Sequence, residues 1–243
     1  MTGTPETRFF FCHLQKTAGL SLIRRLRRHF ARERIYPYPV DDAAGVISVT
    51  RLLERWRETG GALDLITGHF PLCTQELLGA AFSTFTVLRD PVDRTLSFLK
   101  HHRRRTPADG HKRLEEIYED PFRFHGLIHN HMVKMLSLTT AEMEMTSGAL
   151  TFVTFTPDRL ERAKAQLERV DVVGLQPHFD EFCAELHDRF GFELGAPVFR
   201  NLSEPTFVSS AFRDRIAADN ALDVELYEWA THHVASRKQR RTS

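Results

Sequence analysis

Short, nearly unbroken apolar runs alternate along this chain with segments whose apolar residues recur at helical spacing, and that alternation constrains the fold more than any other feature. Arg8 to Leu14 (RFFFCHL), Leu63 to Thr67, Phe82 to Leu88 and Val170 to Gly174 read as short buried strands. The spacing predicts helices between and after them. Thr17 to Phe30 puts Leu20, Ile23, Leu26 and Phe30 on one face, with Arg24, Arg25 and Arg28 away from it. Asp90-Pro91 supplies an N-cap and a first-turn proline to a helix carrying Val92, Leu96 and Leu99. Further helices are expected over Arg51 to Glu58, Phe122 to Leu136, Arg159 to Arg169 and Pro177 to Phe190, with one or two over Ser209 to Ala235. The expected class is α/β, a mainly parallel central sheet flanked by helices.

The 243 residues suit one enlarged domain with a sizeable core. The expected organisation is a single domain over 1–243, ordered over about 8–235, with a solvated basic tail from Ser236 to Ser243 (SRKQRRTS). Lys plus Arg is 33 against 32 Asp plus Glu, a net charge of +1, which argues against a general nucleic-acid binder. The longest stretch without a charged residue, Met145 to Pro157, is shorter than the roughly 18 residues a transmembrane helix needs. Met1 to Arg8 is polar and lacks the apolar segment of a secretory signal. The three cysteines, Cys12, Cys73 and Cys183, form no CxxC and suit a reducing compartment. A cytoplasmic location is the expectation. There are thirteen histidines but no HExxH or paired Cys/His spacing, so no metal site is expected.

In a parallel sheet, ligands bind beyond the C-terminal strand ends. Three such ends carry chemistry. After the first strand comes His13-Leu14-Gln15-Lys16-Thr17-Ala18-Gly19-Leu20-Ser21, a tight loop feeding a helix. Free amides and the helix dipole favour an anion there, Lys16 adds a charge, Thr17 and Ser21 add hydroxyls, and Gly19 permits close approach. A capped helix start with a solvated lysine is the plain alternative, because GxxxxGK[ST] is absent. After the Phe82 to Leu88 strand, Arg89 stands where a guanidinium can grip a phosphate, with Ser97 two turns on; an Arg89–Asp93 ion pair is the alternative. After the middle strand, Gly68-His69 places an imidazole at the same edge, suited to act as a general base.

These motifs together resemble the sulfotransferase family that includes the polysaccharide O-sulfotransferases acting on heparan and chondroitin. The family's opening H-x-P-K-T-A-G-T-S is similar to His13 through Ser21, with Gln15 in place of Pro and Leu20 in place of a small hydroxyl residue. Its R-D-P-x-x-R-x-x-S is met by Arg89, Asp90, Pro91, Arg94 and Ser97. Asn130 to Ser137, Val172 to Leu175 and Leu222 to Tyr227 add weaker likeness, so the resemblance spans about residues 8 to 230. Lys134 and Leu138 stand where Arg and Gly are expected.

The resemblance implies a P-loop-like sulfotransferase fold and the donor 3′-phosphoadenosine 5′-phosphosulfate (PAPS). It assigns Lys16, Thr17, Ala18, Gly19, Leu20 and Ser21 to the 5′ end and Arg89 and Ser97 to the 3′-phosphate. It points to His69 as base, with His13 in reserve and Lys16 stabilising the leaving phosphate. The implied acceptor is a hydroxyl on a carbohydrate, glycolipid or small metabolite, with no metal required. Two alternatives stand beside it: a non-catalytic module binding adenosine 3′,5′-bisphosphate (PAP), and an ATP-dependent kinase with a divergent phosphate loop. Basic clusters at Arg24 to Arg28 and Lys100 to Arg105 read as solvated helix faces or as guides for an anionic glycan.

Overall fold

The computed structural model describes residues 7–38, 48–146, 148–195 and 207–242, with residues 241 and 242 described by backbone alone. The expectation of a disordered N-terminus over the first seven residues falls, but for exposed Thr7, outside the described residues. Five strands, β1 (Phe9–Cys12), β2 (Ile35–Tyr36), β3 (Leu65–Ile66), β4 (Ser83–Leu88) and β5 (Val172–Leu175), form one sheet in the order β2-β3-β1-β4-β5. Every pairing is parallel. Among the described residues, the α-helices of five or more residues are α1 (Gly19–Leu26), α2 (Val49–Glu58), α3 (Pro91–Arg105), α4 (Leu114–Tyr118), α5 (His131–Ser137), α6 (Pro157–Arg169), α7 (Phe179–Phe190), α8 (Ser210–Asp219) and α9 (Ala221–Thr242).

The central strand β1 is apolar throughout because both its faces are covered. Phe9 and Phe11 point into a cluster with Leu22, Ile23 and Leu26 of α1 and with Phe182 and Leu186 of α7. Phe10 and Cys12 point the other way, among Leu52 of α2, Met132 and Leu136 of α5 and Leu226 of α9. A smaller cluster joins Leu96 and Leu99 of α3 to α4 and to Phe212 and Ile216 of α8. No described helix is long and apolar enough to cross a membrane.

Three sequence expectations are corrected. Helix α1 begins only at Gly19 and ends at Leu26. The loop before it sets its phase, so Leu20 is 57% exposed. Arg25, expected to face away from the apolar side, is buried, and its Nε donates to the Leu194 carbonyl at 2.5 Å. The single helix expected over Phe122 to Leu136 is broken into an α-helical turn (Pro121–Arg123), a π-type turn (Phe124–Ile128) and α5, with Asn130 left-handed before α5 at φ 44°. The supposed tail is helical to Thr242. There Arg237 donates to the Val170 carbonyl at 2.9 Å, and Lys238 pairs with Glu181.

A buried polar network explains the break. Arg94, fully buried, donates to the Leu127 and Ile128 carbonyls at 3.2 and 3.0 Å. Lys134 Nζ donates to the Gly126 carbonyl at 2.6 Å. Asp223 accepts from the Met132 and Val133 amides at 3.0 and 2.8 Å. These side chains hold the carbonyls of the π-type turn and the first amides of α5 in place of helical bonds. Burial drives the Lys134 ammonium down to about 7, with Arg94 adding to the fall and Asp223 opposing it. The folded state therefore sheds this proton before the unfolded chain does, so the Lys134 contribution to stability rises with pH from about 7 to its unfolded value of 10.5. Chemical denaturation between pH 7 and 10 is expected to show that rise in the native protein, and Lys134→Met is expected to flatten it.

Candidate functional site

The parallel sheet brings the three sequence-predicted strand ends to one edge. Phe10 pairs with Ile66 in β1–β3, and continuing that register sets residue 69 level with residue 13. Cys12 pairs with Thr86 in β1–β4, and the Thr86 hydroxyl donates to the Cys12 carbonyl at 2.8 Å. The loops bearing Lys16, His69 and Arg89 therefore leave the sheet side by side.

The loop after β1 is an amide nest. Lys16 and Ala18 are left-handed, at φ 68° and 76°. Such a conformation costs a non-glycine residue on the order of 1–2 kcal/mol, and the alternation turns successive N–H groups toward one concavity. The amides of the six residues from Gln15 to Leu20 have no acceptor among the described residues; the Ser21 amide turns back to the Ala18 carbonyl at 3.1 Å. The Thr17 hydroxyl, expected to face a ligand, is buried and donates to the Leu14 carbonyl at 2.9 Å, so its proton is committed to the loop. Gly19 also has a reason the sequence did not give. A Cβ there would lie 2.1 Å from the His13 ring, so the glycine admits a side chain of its own protein.

His13 is 3% exposed, and its ring stacks on Phe11 at 5.2 Å. The His69 ring lies 4.2 Å from that of His13. Its Nδ1 is 2.8 Å from the His13 carbonyl, which can only accept. Nδ1 therefore carries the proton, and Nε2 keeps its lone pair. Although the His69 side chain is exposed, the crowding around it desolvates the ring and lowers its pKa; the bond to His13 opposes this and Lys16 adds to it. Burial lowers His13 much further, so it stays neutral inside the protein. Of the two histidines, His69 is the one with a free, solvent-reachable nitrogen.

Arg89 locks the loop to β4, with Nη1 donating to the Lys16 carbonyl at 3.2 Å. Its Nε is buried without a partner. Asp93, the sequence-level candidate for an Arg89 ion pair, instead pairs with Arg213 at 3.0 Å, and the Asp90 carboxylate caps α3 through the Asp93 amide at 2.9 Å. Arg89, Ser97, Lys100 and Arg213 share a recess of about 210 Å³ with Asp93, Leu96 and Val208. The sequence reading missed Arg213, which arrives from α8 with no local signal, and left Lys100 inside a generic basic cluster. Lys16 is held below the usual lysine range, first by burial and then by Arg104 and Arg89. The edge thus concentrates positive charge and unspent donors, which is the chemistry of a multiply charged anion site. Among the described residues, no group of three or more His, Cys, Asp or Glu is placed to hold a metal ion.

No protein-family model matches the chain, and no curated protein matches it by sequence. Among solved structures, the crystal structure of a sulfotransferase from Alicyclobacillus acidocaldarius is similar, with a TM-score of 0.52 at 17% identity over 94% of this chain and 97% of that one. The chain therefore has a sulfotransferase fold: an all-parallel five-stranded sheet between helices.

Alanine at a helix start normally gains up to about 1 kcal/mol over glycine. At position 19 the clash with His13 is expected to win, because overpacking costs about 1–3 kcal/mol. Gly19→Ala should lower the melting temperature in a thermal scan. Gly19→Ala combined with His13→Ala should be less destabilised than the sum of the two single variants.

Proposed function

We propose that this protein is a sulfotransferase that moves a sulfuryl group from PAPS to a hydroxyl acceptor on a carbohydrate, glycolipid or small metabolite. The observation that carries the reading is the run of six acceptor-free amides from Gln15 to Leu20, set beside Lys16 and within the same sheet edge as His69 and the Arg89 recess. In this reading the loop amides, with Lys16, Thr17, Ala18, Gly19, Leu20 and Ser21, hold the 5′ end of the donor. Arg89 and Ser97 hold the 3′-phosphate, joined by Lys100 and Arg213 from the recess. The unpartnered Arg89 Nε supports the fit, since the guanidinium has donor capacity left for an anion.

When bound, the donor supplies the sulfuryl group. His69 Nε2 accepts the proton of the acceptor hydroxyl as its oxygen bonds to sulfur. The bond from sulfur to the 5′-phosphate oxygen breaks, and its electron pair stays on that oxygen. Lys16 and the nest amides neutralise the charge that develops there. His69 must be neutral for this role, and desolvation keeps its pKa below the ordinary 6.5.

Calorimetric titration is expected to show PAP binding without magnesium and in preference to ADP or ATP. Arg89→Ala should weaken it by about tenfold or more, the scale of a hydrogen bond to a charged group. Preference for ATP with magnesium would overturn the reading in favour of a kinase. With an acceptor in hand, His69→Ala should lose about 10²–10⁴-fold in turnover while keeping its PAP affinity. The acid limb of the wild-type rate profile should have its midpoint below pH 6.5, because protonating His69 removes the base.

A further inference from the structure

Helix α3 reaches both ends of the candidate donor site. Ser97, Lys100, His101 and Arg104 recur at i, i+3, i+4 and i+7 and so share one stripe of the helix. At one end of the stripe, Ser97 and Lys100 line the recess with Arg89. Arg104 lies about 10 Å further along the axis, at about 1.5 Å per residue. From there the Arg104 charge acts on Lys16: after burial it is the strongest influence lowering the Lys16 ammonium, ahead of Arg89. Arg89 itself reaches the Lys16 carbonyl at 3.2 Å. Lys16 in turn presses on His101, next after burial.

The pair at this end is poised for an anion. Arg104 Nη2 lies 3.4 Å from His101 Nδ1. Arginine only donates, so Nδ1 accepts and the imidazole proton sits on Nε2, leaving a second donor available. Neither residue has a carboxylate partner among the described residues, whereas neighbouring His102 pairs with Asp109 at 2.7 Å. The C-terminal end of a helix favours cations in general. That effect serves Arg103 and Arg105 equally and does not account for the convergence of Arg104 and Lys16.

We propose that Arg104 and His101 hold the oxygens of the sulfuryl group carried by the donor, extending the anion site beyond Lys16. The proposal rests on the sulfotransferase reading but concerns residues outside both sequence motifs, and it needs no acceptor to test. PAP lacks the sulfuryl group that PAPS carries, so the two ligands separate the ends of the site.

The test is calorimetric titration of the full chain with PAP and with PAPS, acceptor absent. Arg104→Ala is expected to weaken PAPS by about tenfold, as for loss of a charge-assisted bond, while PAP stays within about twofold. His101→Phe, an independent variant of similar bulk, should show the same selectivity at smaller size. Arg105→Ala, an exposed cation of the same turn, should change neither ligand. Equal loss of PAP and PAPS in both variants, or no loss in either, would overturn the assignment. If the wild-type protein binds neither nucleotide, it is the sulfotransferase reading that fails, and this inference with it.

Discussion

The candidate site depends on one buried residue, His13. His13 sits at the end of the central strand with its ring stacked on Phe11 and filling the space a Cβ on Gly19 would need, while its backbone carbonyl accepts the hydrogen bond of His69 Nδ1. One residue thereby fixes where α1 begins, how close the loop runs to the sheet, and which nitrogen of His69 faces solvent. A buried, neutral imidazole does this without adding charge beside Lys16. The left-handed Lys16 and Ala18 are the strain the arrangement carries, held by Arg89 from the next strand and by the Thr17 hydroxyl from within.

Charge at this edge is unbalanced by construction. Lys16, Arg89, Lys100 and Arg104 gather where Asp93 and Asp90 act on Arg89, yet Asp93 is engaged by Arg213 and Asp90 caps α3. Elsewhere on the surface the protein pairs its cations readily, as Arg51 does with Glu54 and Arg123 with Asp109. Like charges held together without counter-charges destabilise the free protein. A bound polyanion removes that repulsion, which makes the same feature a source of binding free energy.

The sheet and its candidate edge were legible in the sequence because β1 is apolar throughout, β4 is rich in strand-forming Thr, Phe and Val, and both lead into chemically distinctive residues. The Asp90-Pro91 helix start was equally plain, since capping is a local matter. What escaped depended on partners distant in the chain. Arg25 is buried because carbonyls at Leu194 and Gly195 receive it. The break at Asn130 exists because Arg94 and Asp223, both distant in the chain, join Lys134 of α5 in replacing helical bonds. The basic tail is helical because Val170 and Glu181 hold it. Arg213 joins the recess only once α8 folds across α3. None of these has a signature at its own position.

On the proposed function, the nest at Gln15–Leu20 and the recess at Arg89 are two ends of one nucleotide site. A crystal structure of the protein grown with PAP tests it most directly. The 5′-phosphate is expected on the nest amides and Lys16, and the 3′-phosphate between Arg89 and Ser97. A nucleotide bound elsewhere, or with its two phosphates exchanged, would contradict it.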